Sequence, residues 1–227
     1  MPITRAKNKI IYFAHVPKCG GTTVEKAFEN AGFQWVFHRG RWKSMGKMAY
    51  VKSMPTHISA RHFEMLFPGS FIDLTFAVVR HPLSRFLSAF NYNRLTGRIP
   101  WHFGIDKFMS RLENSRDRFL FNYDNHFLTA SEIIPQDSTV FRLEDGLEEI
   151  IPWLRKALGD YEVGIDFHVE NKRAYNDTAS PSPLKEQIKK RFQPKIPSLD
   201  VLSDDLINRV SELYKEDYVK FGYEKLP

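Results

Sequence analysis

Apolar positions along the chain fall into two kinds of run, and the two kinds alternate. Lys9-Ile10-Ile11-Tyr12-Phe13-Ala14-His15 is continuous, β-branched and aromatic, the pattern of a strand covered on both faces in a parallel sheet. A turn at Pro17-Lys18-Cys19-Gly20-Gly21 follows. Thr22 to Asn30 then sets Val24, Ala27 and Phe28 on one helical face, with Gly32 just past the end. The unit recurs. Phe71 to Val79 predicts a second buried strand, closed by Arg80-His81. Pro82 stands where a first helical turn tolerates it, and Leu83, Phe86, Leu87 and Phe90 keep helical spacing to about Tyr92. Thr139 to Arg142 predicts a third strand, followed by an amphipathic helix from about Asp145 to Leu158 that stops at Gly159. Shorter signals predict a strand at Tyr50 to Met54 and a helix from Asp106 to about Asn122. A last helix runs from a Ser203 cap to about Phe221, striped by Leu206, Val210, Leu213, Tyr214 and Phe221. Asn176 to Pro183 has loop composition, and there is no internal repeat.

Strands alternating with helices imply an α/β sandwich with a mostly parallel sheet, and the length suits a single domain over residues 1–227. The aromatic share of 14% argues for a packed interior and against disorder. The net charge of +6 favours an anionic partner, without choosing among nucleotide, nucleic acid, acidic polysaccharide and anionic membrane. The single cysteine, Cys19, excludes an intrachain disulfide and suits a reducing compartment. The apolar run Ile10 to Ala14 is too short for a signal-peptide core, and no stretch reaches the ~18 apolar residues of a membrane span. The expectation is therefore a cytoplasmic protein with no membrane span.

The loop from His15 to Thr23 lies at the carboxyl end of the first strand, where α/β sheets bind ligands. Gly20 and Gly21 let successive N–H groups converge on one anion, and the next helix points its free N–H groups at the same place. Thr22 and Thr23 add hydroxyls and Lys18 adds a charge. The parts describe a phosphate cradle. The spacing is not that of the nucleoside-triphosphate loop, because Lys18 precedes the glycines. A plain strand-to-helix turn is the competing reading. Arg80 ends the second strand and Ser88 sits two turns into the next helix, placed to share a second phosphate. Otherwise Arg80 pairs with a carboxylate and Ser88 is a small packing residue.

His15-Val16-Pro17-Lys18-Cys19-Gly20-Gly21-Thr22-Thr23 resembles the 5′-phosphosulfate loop of PAPS-dependent sulfotransferases. Phe76 to Phe90, with Arg80 and Ser88, resembles their 3′-phosphate motif. The likeness is greatest to the carbohydrate branch, including heparan 2-O-sulfotransferases and small bacterial members. Weaker echoes at Asp124-Asn125-His126-Phe127-Leu128, Leu143-Glu144-Asp145, His168 to Lys172 and Asp217 to Tyr223 extend it over nearly the whole chain. The resemblance implies a three-layer, P-loop NTPase-like sulfotransferase fold and PAPS as co-substrate, with PAP as product. It implies that Lys18 contacts the bridging oxygen, that Gly20 to Thr23 bind the 5′-phosphate, and that Arg80 and Ser88 bind the 3′-phosphate. Members commonly carry Thr where this chain has Cys19, which places a thiol at a helix N-terminus, a setting that favours thiolate.

Sulfuryl transfer requires no metal. It requires a stabilised leaving phosphate, a role for Lys18, and a proton acceptor for the attacking hydroxyl. His57 is the leading candidate base, because Thr56-His57-Ile58-Ser59-Ala60-Arg61-His62-Phe63 resembles the base-bearing segment of the 2-O-sulfotransferases; a structural, hydrogen-bonded histidine is the alternative. His15 is the second candidate, with orientation of the loop as its simpler role. Related families use a glutamate, which keeps Glu25 and Glu64 in view. Arg39, Arg41, Lys43, Lys47 and Lys52, interleaved with Trp42 and Tyr50, form either a guide for an acidic or sugar acceptor or a solvated loop. Asn171-Lys172-Arg173 closes over the nucleotide if the resemblance holds there.

The expected partner is a hydroxyl-bearing acceptor, a carbohydrate or a glycolipid. Two other classes stand against this reading: a P-loop kinase with an unusual loop, and a non-catalytic polyanion- or nucleic-acid-binding protein. The second lacks the stacking motif of an RNA-recognition sheet, so no nucleic-acid partner is expected.

Overall fold

The computed structural model describes residues 1–38, 55–100, 102–114, 123–167, 197, 199 and 202–224. The first strand pair is a hairpin, β1 (Ile3–Ala6) antiparallel to β2 (Lys9–Ala14). Two parallel neighbours follow, β3 (Leu74–Val79) beside β2 and β4 (Thr139–Arg142) beside β3, so the sheet order is β1-β2-β3-β4. The last four residues of β2 and of β3 are buried, as the continuous apolar runs require, while all four residues of the edge strand β4 are half-buried.

Among the described residues the helices are α1 (Gly21–Asn30), α2 (Ala60–Leu66), α3 (Pro82–Leu95), α4 (Ile105–Asn114), α5 (Ala130–Ile133), α6 (Ile150–Ala157), α7 (Asp204–Leu213) and α8 (Lys215–Phe221). Consecutive strand residues point to opposite faces. Tyr12 stacks on Phe63 of α2 with centroids 3.8 Å apart, while its neighbour Phe13 stacks on Phe76 at 4.9 Å. Phe76 in turn meets Phe28 of α1 at 5.7 Å and Trp153 of α6 at 5.4 Å. Both alternating faces of β2 thus bury aromatic rings in the core. No described helix is long and apolar enough to cross a membrane.

Several elements differ from the sequence expectation. β1 gave no strand signal: it is four residues long, and its hairpin turns through Lys7 in the left-handed region (φ 52), where Gly or Asn is the usual marker. β3 starts at Leu74, not Phe71, because Gly69–Phe71 forms a 3₁₀ turn and pairing opens at Asp73, whose N–H donates to Ile10 O at 3.0 Å. The helix expected from Asp145 is a 3₁₀ turn at Leu143–Asp145, a left-handed Gly146 (φ 95), and then α6. The last helix breaks at Tyr214 into α7 and α8. Tyr214 is wholly buried, and its hydroxyl donates to Phe127 O at 3.0 Å. The Ser203 cap is present, its hydroxyl accepting from Leu206 N–H. The expected strand at 50–54, the basic stretch Arg39 to Lys52, the end of the 106–122 helix, the loop at 176–183 and the segment Asn171-Lys172-Arg173 lie outside the described residues.

Candidate active site

The three parallel strands end side by side, since Ala14 pairs with Ala77 and Val79 with Arg142. Their carboxyl-end loops therefore converge. Together they line a cavity of about 520 Å³. From the loop after β2 come His15, Lys18, Gly20, Gly21, Thr22 and Thr23; from the end of β3, Arg80, with Ser88 from α3; after β4, Leu143 and Gly146 to Glu148. Glu25, Thr56, His57, Tyr92 and His126 also line it. An adjoining space of about 350 Å³ shares Lys18, Arg80, Ser88 and Tyr92 with the first.

The loop after β2 has left-handed backbone at Lys18 (φ 70) and Gly20 (φ 78). Such angles cost a lysine free energy and cluster at functional sites. α1 begins at Gly21 with no side-chain cap, so its first N–H groups have no acceptor from a capping side chain. A methyl group on Gly21 would sit 2.1 Å from His15 Nε2. The glycine is thus required by close approach of the imidazole, which is itself held by a 2.8 Å contact between Nδ1 and Glu25 Oε1. We expect Gly21→Ala to displace the His15 ring or the loop and to weaken binding of PAP at least about tenfold, read by calorimetric titration. Unchanged affinity would show that the loop does not cradle the ligand.

Arg80 is half-buried, and neither its guanidinium nor the Ser88 hydroxyl has a protein partner among the described residues. The carboxylate pairing that would make Arg80 purely structural is absent from those residues. Lys18 Nζ lies over the Tyr92 ring at 4.2 Å, which holds its charge at the rim of both spaces.

Cys19 departs from the expectation of a favoured thiolate. Its side chain is turned into the core, 1% exposed, with Sγ 3.7 Å from Pro17 O. Burial pushes the thiol up to about 12, outweighing the nearby Arg85 and Arg80. The thiol does not line the cavity, and any contact of this residue with a ligand there is through its backbone.

His57 ends a short 3₁₀ turn at Pro55–His57 and is buried. Its Nδ1 faces two acceptors of Asp124, the main-chain oxygen at 3.1 Å and Oδ2 at 3.2 Å. Nδ1 must therefore carry the hydrogen, which leaves the lone pair on Nε2. Asn125 Nδ2 donates to His57 O at 2.7 Å, so the two residues clamp the histidine at ring and backbone. Both lie in the left-handed region (φ 55 and 57), which Asp and Asn tolerate better than most. Burial holds the imidazole below its ordinary pKa against the opposing pull of Asp124. Burial thus favours the neutral ring, the form able to accept a proton.

The other candidates have different settings. Burial alone would raise the Glu25 pKa, but the His15 hydrogen bond and the nearby histidines overcome it and hold the carboxyl below its usual range. Glu25 is thereby a weak base tied to His15. Glu64 is exposed on α2, and His62 shares that helix with its Nδ1 at 2.7 Å from Ser59 Oγ. Sequence reasoning gave no role to Tyr92, Asp124 or His126; the run Asp124-Asn125-His126 was visible only as a weak echo. His57, Asp124 and His126 also bring potential metal-ligand atoms within 4.8 Å of one another. The contacts observed within this group are the hydrogen bonds of His57 Nδ1 to Asp124.

A sequence profile described as the Sulfotransferase family matches residues 2–224. Comparison with curated proteins and with solved structures found no match. The matched span takes in the glycine loop, the Arg80–Ser88 strand and helix, His57 and the Asp124–His126 turn, and so every wall of the cavity. The chain belongs to the sulfotransferase family.

Proposed function

We propose that the protein moves a sulfuryl group from PAPS to a hydroxyl of a carbohydrate or glycolipid acceptor, by in-line displacement on a three-layer, P-loop-like scaffold. One observation carries this reading: Lys18, the glycine loop, the buried His57, and Arg80 and Ser88, whose side chains have no partner among the described residues, share one cavity. A nucleotide phosphorylated at both ends suits two separate anion-binding groups. Gly20 to Thr23 would hold its 5′ end and Arg80 with Ser88 its 3′ end. His57 Nε2 accepts the proton of the attacking hydroxyl as the new S–O bond forms. The S–O bond to the 5′-phosphate breaks, and PAP leaves with both electrons. Lys18 stabilises the charge that grows on the departing oxygen, an interaction stronger in the transition state than in the ground state.

Incubation with PAPS and a panel of sugar and glycolipid acceptors in EDTA tests the reading. We expect PAP release that depends on acceptor and persists in the chelator. Mg²⁺-dependent consumption of ATP with PAPS untouched would replace the proposal with a kinase. Salt-dependent binding of polyanions with no turnover would replace it with a binding protein.

A further inference from the structure

Beside His57 stands a second buried histidine whose chemistry is set the opposite way. Asn93 Nδ2 lies 2.8 Å from Ala89 O and 3.0 Å from His126 Nδ1. The Ala89 carbonyl only accepts, so the amide atom facing it must be the NH₂ group. That group then meets His126 Nδ1 as a donor, and Nδ1 must be bare. The neutral ring therefore carries its hydrogen on Nε2. Asn93 is fully buried and His126 is 4% exposed, so water does not relax the arrangement. A protonated ring would set two donors face to face.

The position matters as much as the tautomer. Lys18 lies over Tyr92 at 4.2 Å, Tyr92 meets His126 at 5.1 Å, and His126 meets His57 at 5.2 Å. A series of contacts thus leads from the cation assigned to the leaving oxygen, through Tyr92 and His126, to the base assigned to the attacking oxygen, and all four side chains line one cavity. In an in-line displacement, the group in transit lies between those same two oxygens.

We propose that His126 is a neutral hydrogen-bond donor whose Nε2–H binds an oxygen of the sulfuryl group in transit. The assignment rests on the sulfotransferase reading of this cavity. His57 offers a lone pair to the acceptor; His126, with Nδ1 taken by Asn93, offers a hydrogen to the sulfuryl oxygens. Burial first, and then His57, push its pKa down to about 2; Lys18 and Arg98 act the same way and Asp124 opposes them. The ring therefore keeps its form through the working pH range. A neutral donor fixed in place can stabilise charge there without taking a proton from the base.

Long-range ¹H–¹⁵N correlation spectra of the imidazoles, assigned by loss of one ring's signals in His126→Gln, test the tautomer. We expect Nδ1 bare and Nε2 protonated, unchanged between about pH 8 and 5. A proton on Nδ1, or titration near pH 6.5, overturns the proposal. Kinetics test the role. His126→Leu should lower kcat by about 10²–10³-fold with PAP affinity kept within about threefold, and His126→Gln, which keeps an N–H donor, should recover at least tenfold of that loss. A leucine variant with wild-type kcat also overturns it. Failure of the wild type to turn over PAPS would instead defeat the reading of the cavity, and the spectra would still decide the tautomer.

Discussion

His57→Ala should remove sulfuryl transfer, lowering kcat by about 10²–10⁴-fold, and should leave PAP affinity within about twofold of wild type. The separation follows from where the side chain stands. His57 reaches the cavity from the turn at Pro55–His57 and not from the glycine loop or the Arg80 strand end. Its Nδ1 is committed to Asp124, so Nε2 is the nitrogen left to accept a proton. Removing that nitrogen takes away a proton acceptor, not a phosphate contact. The pH profile of kcat/KM follows the same logic. Burial lowers the His57 pKa, so the neutral base persists below the ordinary value of about 6.5. Activity should hold as pH falls through 6.5 and decline only in more acid solution. Stopped assays of wild type and variant across pH check both points. A His57→Ala enzyme with normal turnover would remove it as the base.

Lys18→Ala should act on both binding and rate. The lysine lines both spaces, and its charge rests on Tyr92 beside the loop proposed to hold the 5′ end of the nucleotide. Loss of a charge-assisted hydrogen bond costs about 1.5–3 kcal/mol, or about 10- to 150-fold in Kd for PAP. The rate suffers more, by a further 10²–10³-fold in kcat, because the charge on the leaving oxygen is greatest in the transition state. Arg80→Ala should share the loss of affinity without the added loss of kcat, since the 3′-phosphate takes no part in bond breaking. Titration calorimetry with PAP and single-turnover rates with PAPS separate these effects. Equal losses of kcat in the two variants would contradict the separate roles.

The parts of this site visible in the sequence are those built from neighbours along the chain. A buried strand, two glycines and an uncapped helix predict a cradle from local geometry, and Arg80 with Ser88 is one strand end and two helical turns. What was hidden depends on contacts across the fold. Asp124 meets His57 over a separation of 67 residues, through a turn in which two non-glycine residues take left-handed angles. The row from Lys18 through Tyr92 and His126 to His57 draws on four segments and has no spacing to read. Cys19 misled for a related reason: position next to a helix N-terminus suggests a thiolate, but side-chain direction decides, and this one faces the core. The break at Tyr214 was likewise invisible, because the apolar stripe of α7 and α8 continues across it while the tyrosine is pinned to Phe127 and packed against Arg85 at 4.9 Å.

Comparative titration of PAP and 5′-AMP in metal-free buffer puts the two-pocket cavity to its most direct test. The nucleotides differ in the 3′-phosphate alone, the group assigned to Arg80 and Ser88. PAP should bind at least about tenfold more tightly than AMP, and Arg80→Ala should bring the two affinities together. Equal affinities in the wild type, or no binding of PAP at all, would contradict it.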